Sequence, residues 1–306
     1  MKILIPYAVT DAVLSSSTVA EPAAGETAWV SGGTYAVGDL RIRTTTHRAY
    51  KCVLAHTGRT ALPEADPTYW QDVAPTQRWA LFDSQVSTQT SATTSMTVVL
   101  RPGFVNALAL YGVDAATVTI TLKDAPGGTT IKTTTVTMQE PALDWYDWGF
   151  GRIKPMTKLV LENLIPYPDA EITIALSAAT GAAVKCGMVI VGDMRDLLDS
   201  AEFGGTEYGA TAEPVDYSYI KTDDFGNTTI VKRRNVTDMS CKLFLPQAQA
   251  DTALATIQEV LGTPAAWIAT DVPGYAGLNT FGLGSASVSY DSFANATINV
   301  KVKALV

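Results

Sequence analysis

Cysteine and histidine are scarce in this chain. The three cysteines, Cys52, Cys186 and Cys241, lie far apart and form no CxxC pair. An odd, sparse set is no disulfide framework, and it fits folding in a reducing compartment. The two histidines, His47 and His56, sit in no ligand-like cluster, so neither a metal nor a cofactor is expected. Cations are also short, with 22 Lys and Arg against 30 Asp and Glu and a net charge of −8. A chain of that sign is not built to hold a phosphate backbone, which excludes nucleic acid as the expected partner. Its one basic cluster, Lys232-Arg233-Arg234, reads as a solvated strand edge. No run of about 18 apolar residues exists, so no spanning helix and no membrane insertion is expected. Met1 to Tyr7 is too short and too soon broken by Pro6 to be a signal peptide. These readings make the chain a soluble protein that leaves a cell, if at all, by another route, such as release inside a virion on lysis.

A catalytic set is missing as well. There is no Gly-x-Ser-x-Gly and no P-loop. A Ser-His-Asp triad would have to recruit His47 or His56, both in the smallest segment. Carboxylate pairs exist, Asp223 with Asp224 and Glu140 with Asp144, but the first falls in a hairpin loop where Asp serves turns. The expectation is a protein that is not an enzyme.

What is present is Thr, Val, Ala and Gly, with 17% charged and 47% apolar residues. That balance favours folded β structure over disorder. The pattern predicts a mainly β chain with a C-terminal α+β unit. Residues 1–28 read as an extended arm that straps onto another part of the assembly. Residues 29–74 read as a small β module, with strands at Leu40 to Arg43 and Ala49 to Leu54. Residues 75–193 read as a β-sandwich, with strands at 95–100, 107–113, 117–122, 131–138, 158–164, 172–176 and 187–191. In the 117–122 strand, Val118, Ile120 and Leu122 alternate with Thr and face the core. No helical period is found there, and Val191 to Asp196 reads as the linker onward. Residues 194–306 read as an antiparallel sheet with one helix, Gln247 to Leu261, whose apolar face is Ala250, Leu254, Ile257 and Leu261. Gly262 and Pro264 stop that helix.

Three resemblances follow from ordered residues. Trp29, Tyr35, Gly38-Asp39, Tyr50, Gly58, Pro63 and Trp70 occur in the order seen in small chitin-binding modules of bacterial chitinases (carbohydrate-binding families 5 and 12), which this segment resembles. The departure is Thr44-Thr45-Thr46-His47-Arg48, where that family often has a short Gly turn. The resemblance implies carbohydrate binding by exposed rings, for which Trp29, Tyr35, Tyr50, Tyr69 and Trp70 are the candidates, since sugar faces stack on aromatics. The same rings could instead be the core of a domain of about 45 residues. Gln77 to Ser84, together with the sandwich and Cys186 to Gly192, looks like a galactose-binding-like jelly roll as used in phage tail proteins. Within it, Trp145, Tyr146 and Trp148 form an aromatic, acidic segment with Asp144 and Asp147. It reads either as a glycan patch through Trp145 and Trp148 or as a strand closing the sandwich. The last unit carries Glu207 to Ala210, Asp224 to Asn227 and Leu261 to Ile268, and is similar to tail proteins of long-tailed phages. Its hairpin, helix and closing strands are of the kind that tail-tube and distal-tail proteins use to build rings.

The function implied is a structural component of a phage tail near the tip or baseplate, made in the host cytoplasm and residing in the virion. Its partners would be copies of itself and other tail proteins. The alternative is a carbohydrate-binding adhesin at the same location that contacts host surface glycans. A secreted polysaccharide-degrading enzyme is the third possibility, opposed by the missing leader and catalytic set.

Overall fold

In a computed structural model, residues 1–305 are described except Leu143, 199–202, Asp224, Asp271 and Pro273. The chain is mainly β, as the alternation predicts. A ten-stranded antiparallel sheet runs through most of it. From one edge the strands are Lys158–Leu161, Ala107–Tyr111, Met188–Asp196, Lys2–Pro6, Ala265–Ile268, Asn279–Ser289, Asn295–Ala304 and Asn235–Pro246. Gly205–Thr206 and Thr211–Asp216 both pair with the last of these.

The strand Lys2–Pro6 holds the middle of this sheet. One side pairs with Met188–Asp196, in the register Lys2 to Asp196 and Pro6 to Gly192. The other pairs with Ala265–Ile268, Lys2 opposite Ile268. Val191 to Asp196, expected as a linker, is therefore paired strand. A free linker would leave the amides and carbonyls of 192–196 to water; here the N-terminal strand pairs with one side and Asn106 takes the Gly192 carbonyl on the other. The side chain of Asn106 adds to the join. Its amide nitrogen donates to Asp193 Oδ1 at 2.9 Å, and its oxygen accepts from the Met194 amide at 2.6 Å.

A five-stranded sheet packs over one end of the large one, in the order Thr130–Thr137, Thr117–Lys123, Glu171–Ser177, Ser95–Leu100, Leu14–Ser17. Val118, Ile120 and Leu122 point inward as expected, against Ile172, Ile174, Leu176, Met96, Val98 and Leu100. From the large sheet, Leu108, Leu110, Val189 and Val191 close this core. Ala107, Ala109 and Tyr111, the alternate residues of one of those strands, are buried on the opposite face beside Leu4, Ile190 and Phe281.

At the other end, the helix Gln247–Val260 lies on the large sheet. Its buried residues are Ala250, Ala253, Ile257 and Val260, so the contact face is rotated from the expected one. Leu254 is only partly buried and Leu261 is exposed. Small residues at 250 and 253 let the helix come close to the sheet, where two leucines would hold it off. Leu261 is already extended, and Gly262 takes a positive φ that ends the helix as expected.

Gly192 is where the sheet admits its central strand. A Cβ there would overlap the Ile5 carbonyl oxygen and press on the Pro6 Cα. Gly192→Ala should therefore destabilise the fold by on the order of 3 kcal/mol, because neither backbone can yield. Urea unfolding of the two proteins measures this; a loss below about 0.5 kcal/mol would show that the strand is not held there.

Candidate interaction surfaces

The small module is built around three aromatics and a thiol. Leu40–Arg43, Arg48–Cys52 and Trp70–Pro75 form its sheet, and Thr34–Tyr35 pairs with His56–Thr57. Gly38 takes a positive φ, and the Asp39 carboxylate accepts from the Ala36 amide at 3.1 Å, which fixes the turn after Tyr35. The Tyr35 hydroxyl donates to the Val30 carbonyl and accepts from the Val30 amide, both at 2.8 Å. Its ring meets Trp70 edge-on at 5.0 Å.

That packing corrects the expected sugar platform. Tyr35, Tyr50 and Trp70 are 5%, 4% and 3% exposed and form the module's core with Cys52. A ring with no exposed face cannot stack on a sugar. Trp29 and Tyr69 are half-buried, and each carries an arginine over one face. Arg59 lies 3.8 Å from the Tyr69 ring centre and is tied to Asp66 at 2.9 Å. Arg43 lies 5.4 Å from the Trp29 ring and is tied to Glu64 at 3.1 Å. Cys52 and His56 approach at 3.8 Å, but the thiol is fully buried, burial raises its pKa, and it donates to the Leu54 carbonyl. That keeps the sulfur protonated and unreactive.

The two unexpected residues here are Asp11 and Glu21. The four-residue turn before Arg48 delivers His47 to the N-terminal segment, with φ at 54°. His47 Nδ1 lies 3.0 Å from Glu21, and its Nε2 lies 3.0 Å from Asp11. Its ring stacks on Trp79 at 4.1 Å. Glu21 also accepts from the Trp79 indole at 3.1 Å and the Thr76 hydroxyl at 2.7 Å. The departure from the chitin-binding pattern is thus the latch between module, arm and sandwich. Only the departure itself was a signal for it, since Asp11 and Glu21 lie far away in sequence.

The rings that are exposed lie elsewhere. Trp145–Phe150 is a short helix where no helical period was found and a strand was one reading. Asp144 caps it, its carboxylate accepting from the Asp147 amide at 2.7 Å. None of its residues is buried, with Trp145 78% and Trp148 82% exposed. The strand that would have closed the sandwich is absent because this capped turn leaves the sheet. Tyr146, Phe150 and Ile153 extend the same apolar protrusion.

A second protrusion is the hairpin Tyr219–Thr222 with Thr228–Val231. Ile220 and Ile230 face each other across it, both exposed, and Phe225 caps its loop, also exposed. The Asp223 carboxylate accepts from the amides of Phe225 and Asn227 at 3.0 and 2.7 Å and from the Asn227 side chain at 2.9 Å. Those bonds hold its pKa below the usual range, led by the Asn227 side chain, and commit it to the turn. Asp224, its expected partner in a carboxylate pair, lies outside the described residues.

Comparison with known proteins finds no matching family model and no matching curated protein. Among solved structures, the chain is similar to chitosan-binding module 1 of a chitosanase/glucanase from Paenibacillus sp. IK-5. A selenomethionine-labelled mutant of that module matches at TM-score 0.26 and 14% identity, covering 37% of this chain and 82% of that one. A second structure of the module matches at TM-score 0.21 and 18% identity, covering 37% and 81%. The similarity is weak, and superposition at that level does not establish a common fold.

The latch has a pH signature. Burial lowers the His47 pKa, but the hydrogen bonds and charges of Glu21 and Asp11 outweigh this and raise it above 6.5. Its charge therefore stabilises the fold fully below 6.5 and ceases to as pH rises through the raised folded value. Asparagine tolerates the left-handed backbone at this position. The Tm advantage of wild type over His47→Asn should be larger at about pH 5.5 than at about pH 8.5. An advantage that does not change with pH would remove the charge from the latch.

Proposed function

We propose that this chain is a non-enzymatic structural subunit of a bacteriophage tail, near the tip or baseplate, that associates with copies of itself into a ring or adaptor. The observation that supports self-association is the hairpin around Ile220 and Ile230. A two-stranded hairpin is marginal alone in water, and this one buries none of its residues within the chain. An exposed apolar face on an otherwise well-packed chain marks a contact surface. The tail setting is drawn from the sequence resemblance of the last unit to tail proteins of long-tailed phages, in whose rings neighbouring subunits extend one another's sheets. Sedimentation of the wild type should show concentration-dependent assembly, while Ile220→Glu with Ile230→Glu sediments as a monomer with unchanged Tm. A wild type that stays monomeric at every concentration would overturn the reading.

A second reading, contact with a host surface glycan, is favoured by Trp145 and Trp148. These indoles are three residues apart on one helix, both exposed, with the capping carboxylate of Asp144 beside them. Neither Trp supports the core, so Trp148→Ala should change stability by no more than about 0.5 kcal/mol. On a glycan array, the wild type should bind at least one sugar and Trp148→Ala should lose it. Absence of any bound glycan for the wild type would leave the protrusion as a protein contact.

A further inference from the structure

A recess of about 510 Å³ opens where the sandwich meets the last unit. The strand ends carrying Tyr111 and Lys158 form one wall, the segment Arg233 to Thr237 another, and Phe281 with Leu305 the third. Three cations, Lys158, Arg233 and Arg234, line it, and none of its lining residues is Asp or Glu. That is contrary to the chain as a whole, where acids outnumber bases 30 to 22.

The three cations are also unneutralised. Several other arginines are matched to a carboxylate: Arg43 to Glu64, Arg59 to Asp66 and Arg101 to Glu171. Among the described residues, Lys158, Arg233 and Arg234 form no ion pair. Lys158 Nζ donates to the Asn279 carbonyl at 2.6 Å, which satisfies one of its three protons. Its ammonium is largely desolvated, and burial lowers its pKa. Arg233 rests over the Tyr219 ring at 4.9 Å, which leaves its fork of donors unspent. A desolvated ammonium without a counter-ion is costly, and Arg forks match oxyanions geometrically. Ser87, Gln89 and Thr157 add neutral donors at the rim, and Val86, Phe281 and Leu305 an apolar wall.

We infer that this recess binds a small organic oxyanion, a phosphate- or carboxylate-bearing molecule about the size of a monosaccharide, with Lys158, Arg233 and Arg234 as its charge contacts. The volume falls within the range of small-molecule sites. The anionic group supplies the charge that the chain itself withholds, and the apolar wall takes the body of the molecule. Because Arg233 and Arg234 lie at the base of the hairpin, occupancy would also tie that hairpin to the sandwich.

Calorimetric titration of the full chain tests this with glucose 6-phosphate, glucuronate and glucose as probes. Glucose 6-phosphate or glucuronate should bind, glucose should not, and comparing the two anions separates phosphate from carboxylate. Arg234→Ser, at an exposed position, should weaken binding about tenfold, and Lys158→Met, which keeps the apolar stem, by at least as much. Raising the salt concentration should weaken it further. The inference is overturned if neither anion binds, if glucose binds equally well, or if the variants bind as wild type does. It is also overturned if Arg234→Ser abolishes self-association while neither anion has any effect, since the cations would then serve a contact between copies.

Discussion

Everything in this fold depends on five N-terminal residues lying between two strands that are distant from them and from each other in sequence. Lys2–Pro6 takes hydrogen bonds from Met188–Asp196 on one side and Ala265–Ile268 on the other. Ile3 then points into the core beneath the helix, and Leu4, by the two-residue period, into the cluster around Tyr111 and Phe281. One strand thus serves two cores. Without it, the edges of Met188–Asp196 and Ala265–Ile268 would face water, each a template for unwanted pairing. The units expected at 75–193 and 194–306 share one sheet because this strand fills the gap, and Gly192 is the residue whose missing side chain lets it in.

Once that strand is seated, the surfaces left over become informative. The large sheet is covered by the second sheet at one end and by the helix at the other. Two excursions, Trp145–Phe150 and the hairpin around Phe225, each group several exposed apolar side chains. Each contains a polar, well-bonded turn, the helix capped by Asp144 where it begins and the hairpin closed by Asp223 at its tip. Those bonds fix the turns from which ring and aliphatic side chains project. This is the general division of labour in β proteins, where paired strands provide stiffness and the connections carry contacts.

Much of the strand inventory was legible in the sequence. Ser95–Leu100 and Thr117–Lys123 alternate strictly because each has one face on a core, and the period-2 pattern records that. The helix was legible for the same reason, down to its stop at Gly262. Its rotation was not, because periodicity reports that an apolar face exists but not how closely the sheet approaches; Ala253 reads as weakly apolar until the sheet lies on it. The insertion of Lys2–Pro6 was illegible for a deeper reason. A short apolar strand contains no record of its partners, which begin at Met188 and Ala265 and are specified by the gap they leave. Of the site, the exposed tryptophans were found as residues but not as a helix. Asp144 caps that helix through the Asp147 amide, a signal the sequence reading did not use.

The aromatic pattern from Trp29 to Trp70 shows most clearly how size governs function. A segment of fewer than 50 residues buries too little aliphatic surface to fold on that alone, so its largest rings are drawn inward. Tyr35, Tyr50 and Trp70 go inside, and Trp29 and Tyr69, left half outside, are each covered by a guanidinium held by a carboxylate. A module that spends its rings this way has none to spare for a ligand unless an arginine is displaced and its ion pair broken. The larger sandwich is under no such pressure, because Leu, Ile and Val from two sheets fill its core. It can leave Trp145 and Trp148 in solvent without loss of stability. The exposed rings therefore belong to the unit with aliphatic core to spare, and the aromatics of the small module serve its own packing, with the His47 latch as its link to the rest of the chain.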